Sequence, residues 1–188
     1  MKIPSFFSQL FKTIDNRSLI LPVSLSRFTL SIAVFIIVSA SFMRQIVDWV
    51  RNNLLDEKGV GVVIICLAMA IVLALLISLS KKKLSFLRLA SILIVIAAGF
   101  LVMARLELAV EKVHILEYAF LGWLTLSDTT RTHSKSEGTC IAVIFCAVVG
   151  IIDELFQAVL PYRFYDARDI VFNLIGAIEG ILLYSIYS

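Results

Sequence analysis

Residues 150–180, GIIDELFQAVLPYRFYDARDIVFNLIGAIEG, decide the fold of this chain. They contain two apolar stretches separated by the polar segment PYRFYDAR. If each stretch is a membrane-spanning helix, this short connection makes the two helices antiparallel neighbours. The stretch also carries an unusual number of ionisable groups for so apolar a sequence: Asp153, Glu154, Arg163, Asp166, Arg168, Asp169 and Glu179. The fold and the function both depend on how these charges are accommodated.

The composition of the whole chain indicates a membrane protein. Hydrophobic residues make up 60% of its 188 residues, charged residues only 16%, and the mean hydropathy is +0.98. A soluble domain of this size exposes too much surface to hide so many apolar side chains. Charged residues cluster between long apolar runs. The predicted fold is therefore all-α, a polytopic bundle of about six transmembrane helices.

Apolar runs of about 20 residues predict the spans, because every backbone polar group in lipid must be hydrogen-bonded within its own segment. The predicted spans are Phe28–Ile46, Val60–Ser80, Leu84–Ala104, Val113–Leu126, Thr139–Leu160 and Asp169–Tyr187. Residues 1–27 have Phe and Leu at helical spacing among basic residues, which predicts an amphipathic helix on the membrane surface. A cleaved signal peptide is the rival interpretation, and a signal anchor is favoured over it because the charged leader is too long.

The distribution of Lys and Arg predicts the orientation. With the amino terminus inside, ten basic residues lie in cytoplasmic segments and seven in external ones. Both termini are therefore predicted to be cytoplasmic. The net charge of +3 forms no basic stripe, so no nucleic-acid partner is expected. The three cysteines lie in apolar runs without metal-ligand spacing, and neither a metal nor another cofactor is expected.

Polar residues recur at helical spacing in the last three spans. His114, Glu117 and Tyr118 share one arc of the fourth span, since an α-helix turns about 100° per residue. In the fifth span Asp153, Glu154 and Gln157 share another arc, which Gly150 continues inward. In the sixth span a single stripe carries polar residues at its outer end and small residues deeper down: Asp169, Asn173, Gly176 and Gly180.

The predicted topology brings these three arcs to the external ends of their helices, where they would line one cavity. Charges at membrane depth are costly and normally face the bundle interior in pairs. Arg163 and Arg168 are available partners for the acids. The alternative is structural, with Asp166 and Asp169 capping helix ends. Glu179 lies near the middle of the sixth span, and the sequence leaves open whether it is a neutralised acid or a second functional point.

Two segments resemble the signature blocks of the VanZ-like family of membrane proteins. In EKVHILEYAFLGWL the matching residues are Lys112, His114, Tyr118 and Gly122. In the quoted stretch they are Gly150, Asp153, Glu154, Gln157, Pro161, Arg163, Asp169, Asn173, Gly176, Ala177 and Gly180. Tyr162 replaces the usual glycine after the proline. The motifs assign residues 83–188 to a VanZ-like four-helix core, leaving 28–82 as two additional transmembrane helices.

The resemblance implies a protein of the bacterial cytoplasmic (inner) membrane and cell envelope, in a family named for resistance to the antibiotic teicoplanin. It does not settle the chemistry. One hypothesis is binding of membrane lipids and of the polar head of an amphiphile, either a lipoglycopeptide or a lipid-linked precursor. The predicted ligand-binding residues are His114, Glu117, Tyr118, Asp153, Glu154, Gln157, Arg163, Asp169 and Asn173, with Gly150, Gly176 and Gly180 for helix packing.

Two other functions stay open. A membrane-embedded enzyme could use Glu117 or Glu154 as a general base, with His114 as a proton shuttle, on a lipid-linked substrate. No known nucleophile or metal motif supports this reading. An accessory subunit would instead dock an envelope protein partner through its first two spans. Binding is the preferred hypothesis.

Overall fold

The computed structural model describes residues 25–80, 85–106, 108–161, 163 and 165–188, and all of its regular structure is helical. Residues 1–24 of the predicted amphipathic leader therefore lie outside the described residues. Six helices follow one another along the described chain: α1 Arg27–Asn53, α2 Glu57–Ser80, α3 Phe86–Arg105, α4 Ala109–Thr129, α5 Lys135–Val159 and α6 Ala167–Tyr187. The predicted all-α class is confirmed.

Four of these helices are long and apolar enough to cross a membrane: α1, α3, α5 and α6. In α2 the apolar stretch among the described residues is shorter, Lys58–Ala70. α4 contains Glu111, Lys112, Glu117 and Asp128 and is not among the four. These length and composition criteria support a helical membrane bundle, and the crossing of the membrane by α2 and α4 stays a prediction.

Helix α4, which carries several charged residues, is at the centre of the bundle. It contacts each of the other five helices and packs most extensively against α6. Its residues Tyr118, Leu121 and Leu126 have no exposed surface. A charged helix in a membrane is stabilised when neighbouring helices, rather than lipid, surround its polar side chains. The central position of α4 is therefore compatible with its charged residues.

Glycines allow α4 and α6 to approach closely. A methyl group added at Gly176 would lie 2.5 Å from the carbonyl oxygen of Ile115, and one at Gly180 would overlap the carbonyl oxygen of Ala119. On the α4 side, a methyl group at Gly122 would overlap the carbonyl oxygen of Ala177. The small-residue stripe of α6 therefore packs against the backbone of α4, as small-xxx-small contacts do in membranes. Gly150 differs, because a methyl group there would meet its nearest neighbour at 3.6 Å.

Side chains at the helix starts fix where each segment begins. Ser26, Ser85 and Ser134 accept hydrogen bonds from the first turns of α1, α3 and α5, and Asp166 does so for α6. Ser134 and Glu137 form a reciprocal capping box. These caps satisfy backbone donors that have no partner inside the helix. The Asp166 cap fixes the start of α6 at Ala167, immediately after the polar loop at residues 160–166.

Asp128 ties the start of α1 to the end of α4. Its Oδ2 accepts hydrogen bonds from the Ser26 backbone N–H at 2.8 Å and from the Thr29 hydroxyl at 2.6 Å. Because Asp128→Ala strands two donors, we expect a loss of about 1–3 kcal/mol in the free energy of unfolding. Asp128→Asn keeps one acceptor oxygen and should lose less. Thermal unfolding in detergent tests this, and equal stability of the alanine variant and the wild type would contradict it.

Candidate functional site

A polar cavity of about 190 Å³ opens at the end of the bundle that carries the 160–166 loop. Residues from α1, α4, α5, α6 and the connecting loops line it: Arg44, Val47, Asp48, Arg51, Leu108, Ala109, Val110, Glu111, His114, Gln157, Arg163, Asp166, Arg168 and Asp169. Four of these residues are arginines and four are acids. The pairing among them decides which charges remain available to a ligand.

Two of the arginines are paired with neighbouring acids. Arg51 lies 2.9 Å from Asp48, and Arg168 lies 2.7 Å from Asp166 through a guanidinium that also donates a second hydrogen bond to this carboxylate. Hydrogen bonding to the guanidinium of Arg168 lowers the pKa of Asp166 below its usual value. Asp166 therefore stays ionised at neutral pH, and the pair leaves little positive charge over from Arg168.

Arg44 and Arg163 differ from the other two arginines. Neither forms an ion pair with any residue that the structure describes. Partial burial, and then the positive charge of Arg44, lower the pKa of Arg163, but an arginine remains protonated at any physiological pH. The polar cavity thus holds two guanidinium groups that repel each other and have no acid partner among the described residues. An anion placed between them would relieve that repulsion.

Glu154 and Gln157 hold Arg163 and its loop in place. The Arg163 Nη2 donates a hydrogen bond to the Gln157 Oε1, and the Gln157 Nε2 donates one to the Glu154 Oε1 at 3.0 Å. The second oxygen of Glu154 accepts from the Asp166 backbone N–H at 3.4 Å. Both oxygens of this fully buried carboxylate are occupied. Glu154 therefore positions Arg163 and the 160–166 loop and does not itself line the polar cavity.

A second group of polar side chains lies beneath the cavity, between α4, α5 and α6. His114 Nδ1 is 3.4 Å from Glu117 Oε2 and 3.9 Å from Asp153 Oδ2. The Tyr118 hydroxyl donates a 3.3 Å hydrogen bond to the same Asp153 oxygen. His114, Tyr118, Asp153 and Asn173 are all less than 5% exposed. His114 belongs to both groups, because it also lines the polar cavity.

Several atoms of this buried group lack hydrogen-bond partners. Within the described residues they include His114 Nε2, Asp153 Oδ1 and both amide atoms of Asn173, whereas His114 Nδ1 and Glu117 Oε2 face each other at 3.4 Å. Buried polar groups normally form hydrogen bonds with protein, water or ligand, and each buried donor or acceptor without one costs about 1–3 kcal/mol. The arrangement is therefore suited to hold water molecules or a polar ligand that enters past His114.

The structure brings the predicted site residues into one region, in two groups. His114, Gln157, Arg163 and Asp169 line the polar cavity. Tyr118, Asp153, Glu154 and Asn173 are buried below or beside it, and Glu117 reaches His114 from the next turn of α4. Gly176 and Gly180 pack α6 on α4, whereas Gly150 leaves room for a methyl group.

The sequence did not lead us to expect that residues of α1 line the polar cavity. Arg44, Asp48 and Arg51 recur at helical spacing on the last turns of α1, and that spacing is the signal that could have found them. Glu111 was missed as well, although it is the first residue of the segment EKVHILEYAFLGWL. Among the described residues, no group of three His, Cys, Asp or Glu side chains is arranged to hold a metal ion. The two guanidinium groups can bind an anion, and the contacts among His114, Glu117 and Asp153 can support acid–base chemistry.

Comparison with known proteins identified a family over nearly the whole chain. A family model described as VanZ/LLP1 matches residues 6–188. The match extends through α1 and α2, beyond the segment that carries the motifs. No curated protein and no solved structure matched the chain. The polar cavity, including its α1 wall, falls entirely within the matched region.

Proposed function

The chain belongs to the VanZ/LLP1 family, and from that premise we propose that it binds the anionic polar head of a membrane amphiphile in the polar cavity. Arg44 and Arg163 clamp the head. The rest of the molecule lies along the apolar helices that surround the opening. A lipoglycopeptide such as teicoplanin and a lipid-linked cell-wall precursor both carry polar heads on an apolar anchor, and they are the two candidate ligands.

The observation that carries this proposal is the pair of arginines that form no ion pair with any acid among the described residues. An arginine presents a planar fork of donors that matches carboxylate and phosphate oxygens. Each of the other two cavity arginines already contacts an acid. Selection for stability alone would favour an acid between Arg44 and Arg163 as well. A site that receives its anion from a ligand explains why no acid of the described residues pairs with them.

The buried group completes the site. His114 forms the floor of the cavity, and Asn173 and Asp153 below it offer polar atoms without a partner among the described residues. The Asn173 amide donates to a bound head, and the Asp153 oxygen, an acceptor, reaches it through a bridging water, which is nearly as favourable as a direct hydrogen bond. The orientation that we propose, with both termini cytoplasmic in a bacterial inner membrane, opens the polar cavity toward the outer leaflet.

Binding of matched probes tests the proposal. Dodecyl phosphate and dodecyl maltoside have the same tail and differ in the charge of the head. In a neutral detergent, the purified protein should bind the phosphate at least about tenfold more tightly, as expected for a charge-assisted hydrogen bond to arginine. Equal affinity for the two probes would defeat the proposal. Teicoplanin and a polyprenyl diphosphate, used as competitors, would then separate the two candidate ligands.

A second candidate function is catalysis on a lipid-linked substrate. The contact among His114, Glu117 and Asp153 favours it, because a histidine between two acids can pass a proton in either direction. In this reading Glu117 or Asp153 takes the proton and Glu154 keeps Arg163 on the substrate. Turnover of a polyprenyl diphosphate that His114→Gln abolishes, with dodecyl phosphate binding retained, would place catalysis first.

A further inference from the structure

A second cavity lies on the opposite side of α4 from α5, between α2, α3, α4 and α6. This apolar crevice has a volume of about 520 Å³ and is lined by residues such as Ile96, Phe100, Phe120, Trp123, Glu179 and Leu183. Small-molecule sites usually measure about 300–1,000 Å³. Glu179 is the one charged side chain among the described residues that line the crevice. The two cavities share no lining residue.

The Glu179 carboxylate is placed near the middle of α6 without a partner. It forms no hydrogen bond or ion pair with any residue that the structure describes. Helix α3 makes room for it at Gly99, where an added methyl group would overlap the carboxyl group. Glu179 lies twelve residues after the start of α6, or about 18 Å along the helix at 1.5 Å per residue. A carboxylate at that depth is costly unless a cation or a hydrogen-bond donor faces it.

We propose that the apolar crevice is a second binding site, for a lipophilic amine: a molecule dissolved in the membrane that carries one ammonium group on an apolar body. Glu179 forms the ion pair with the ammonium group. Phe100, Phe120 and Trp123 line the same crevice, and the faces of aromatic rings attract cations. An acid combined with aromatic rings matches both the charge and the apolar body of such a molecule.

A phospholipid fits the crevice less well. An ethanolamine or choline head would supply the ammonium group, but its phosphate would enter with it. No Lys or Arg is among the described residues that line the crevice. A phosphate buried there would stay unpaired, and an unpaired buried charge costs far more than the ammonium contact gains. The occupant therefore carries the amine as its only charge.

Trp123 provides a reporter inside the crevice. The chain has two tryptophans, and Trp49 is an exposed residue of α1. In a Trp49→Phe background, Trp123 is therefore the single tryptophan. A brominated ligand quenches its fluorescence on contact. The probes are ω-bromododecylamine and ω-bromododecanol, which have the same tail and differ only in the amine, with the full-length protein in a neutral detergent.

The amine should quench Trp123 at a concentration about tenfold lower than the alcohol, the effect of one charge-assisted interaction. Glu179→Gln keeps the shape of the side chain and should remove the difference. Glu137→Gln, at an exposed cap on α5, removes the same charge elsewhere and should preserve it. The proposal fails if the Trp49→Phe protein with Glu179 intact shows no preference for the amine, a result that does not depend on how the Glu179 variant folds. It also fails if folded Glu179→Gln keeps the preference.

Discussion

Gly180→Ala is expected to prevent assembly of the bundle, so that little monodisperse protein is recovered from membranes. The added methyl group would overlap the Ala119 carbonyl oxygen and lie 2.9 Å from the Trp123 backbone nitrogen. Neither backbone atom can move alone, because each belongs to a hydrogen-bonded helix. Helices α4 and α6 must separate, which we expect to cost more than about 3 kcal/mol, the upper part of the range for overpacking.

Gly150→Ala is the matched control. Its methyl group would lie 3.6 Å from the Asn173 Cβ and 3.7 Å from a Tyr118 ring carbon, which are ordinary contact distances. Alanine is also the better helix former by about 1 kcal/mol. This variant should be recovered at wild-type yield and unfold at the wild-type temperature or above it. Size-exclusion profiles and thermal unfolding in detergent measure both variants. Similar behaviour of the two variants would show that close packing of α4 on α6 is not what holds the bundle together.

Arg163→Ala should weaken binding of dodecyl phosphate by at least about tenfold, because it removes a charge-assisted hydrogen bond from a partly buried position. Arg44→Ala should do the same if both arginines hold one anion. With both replaced, the preference for phosphate over maltoside should disappear. Arg163→Lys keeps the charge but loses the planar fork and the contact with Gln157, so an intermediate affinity is expected.

Arg88→Ala is the control for the arginine variants. Arg88 is exposed in the first turn of α3 and does not line the polar cavity. Affinities are measured by titration at two salt concentrations, because an exposed ion contact weakens as salt is raised. Unchanged phosphate binding by folded Arg163→Ala and Arg44→Ala proteins would remove both arginines from the site.

The sequence was sufficient to predict the helices and to predict which side chains lie near the 160–166 loop. Helical spacing put His114 and Glu117 on one arc and Asp153, Glu154 and Gln157 on another, and a short loop made α5 and α6 antiparallel. These relations depend only on residues that are close in sequence, so they do not require knowledge of how distant helices pack. The structure places all of these residues within two adjoining groups.

The packing of helices distant in sequence could not be predicted in the same way. Arg44 reaches the polar cavity because α1 packs on α4 and α5, a relation that no short-range pattern encodes. Glu154 was expected in the cavity, but its two oxygens are used to hold Gln157 and the Asp166 backbone. Gly150 was expected at a close helix contact. It has room because α6 makes its closest approach to α4 instead.

A structure of the protein with dodecyl phosphate tests directly whether the polar cavity is an anion site. We expect density for the phosphate between the guanidinium groups of Arg44 and Arg163, above His114, with the tail leaving along the apolar helices. Phosphate density at another site, or in contact with neither arginine while the polar cavity holds only water, would contradict it.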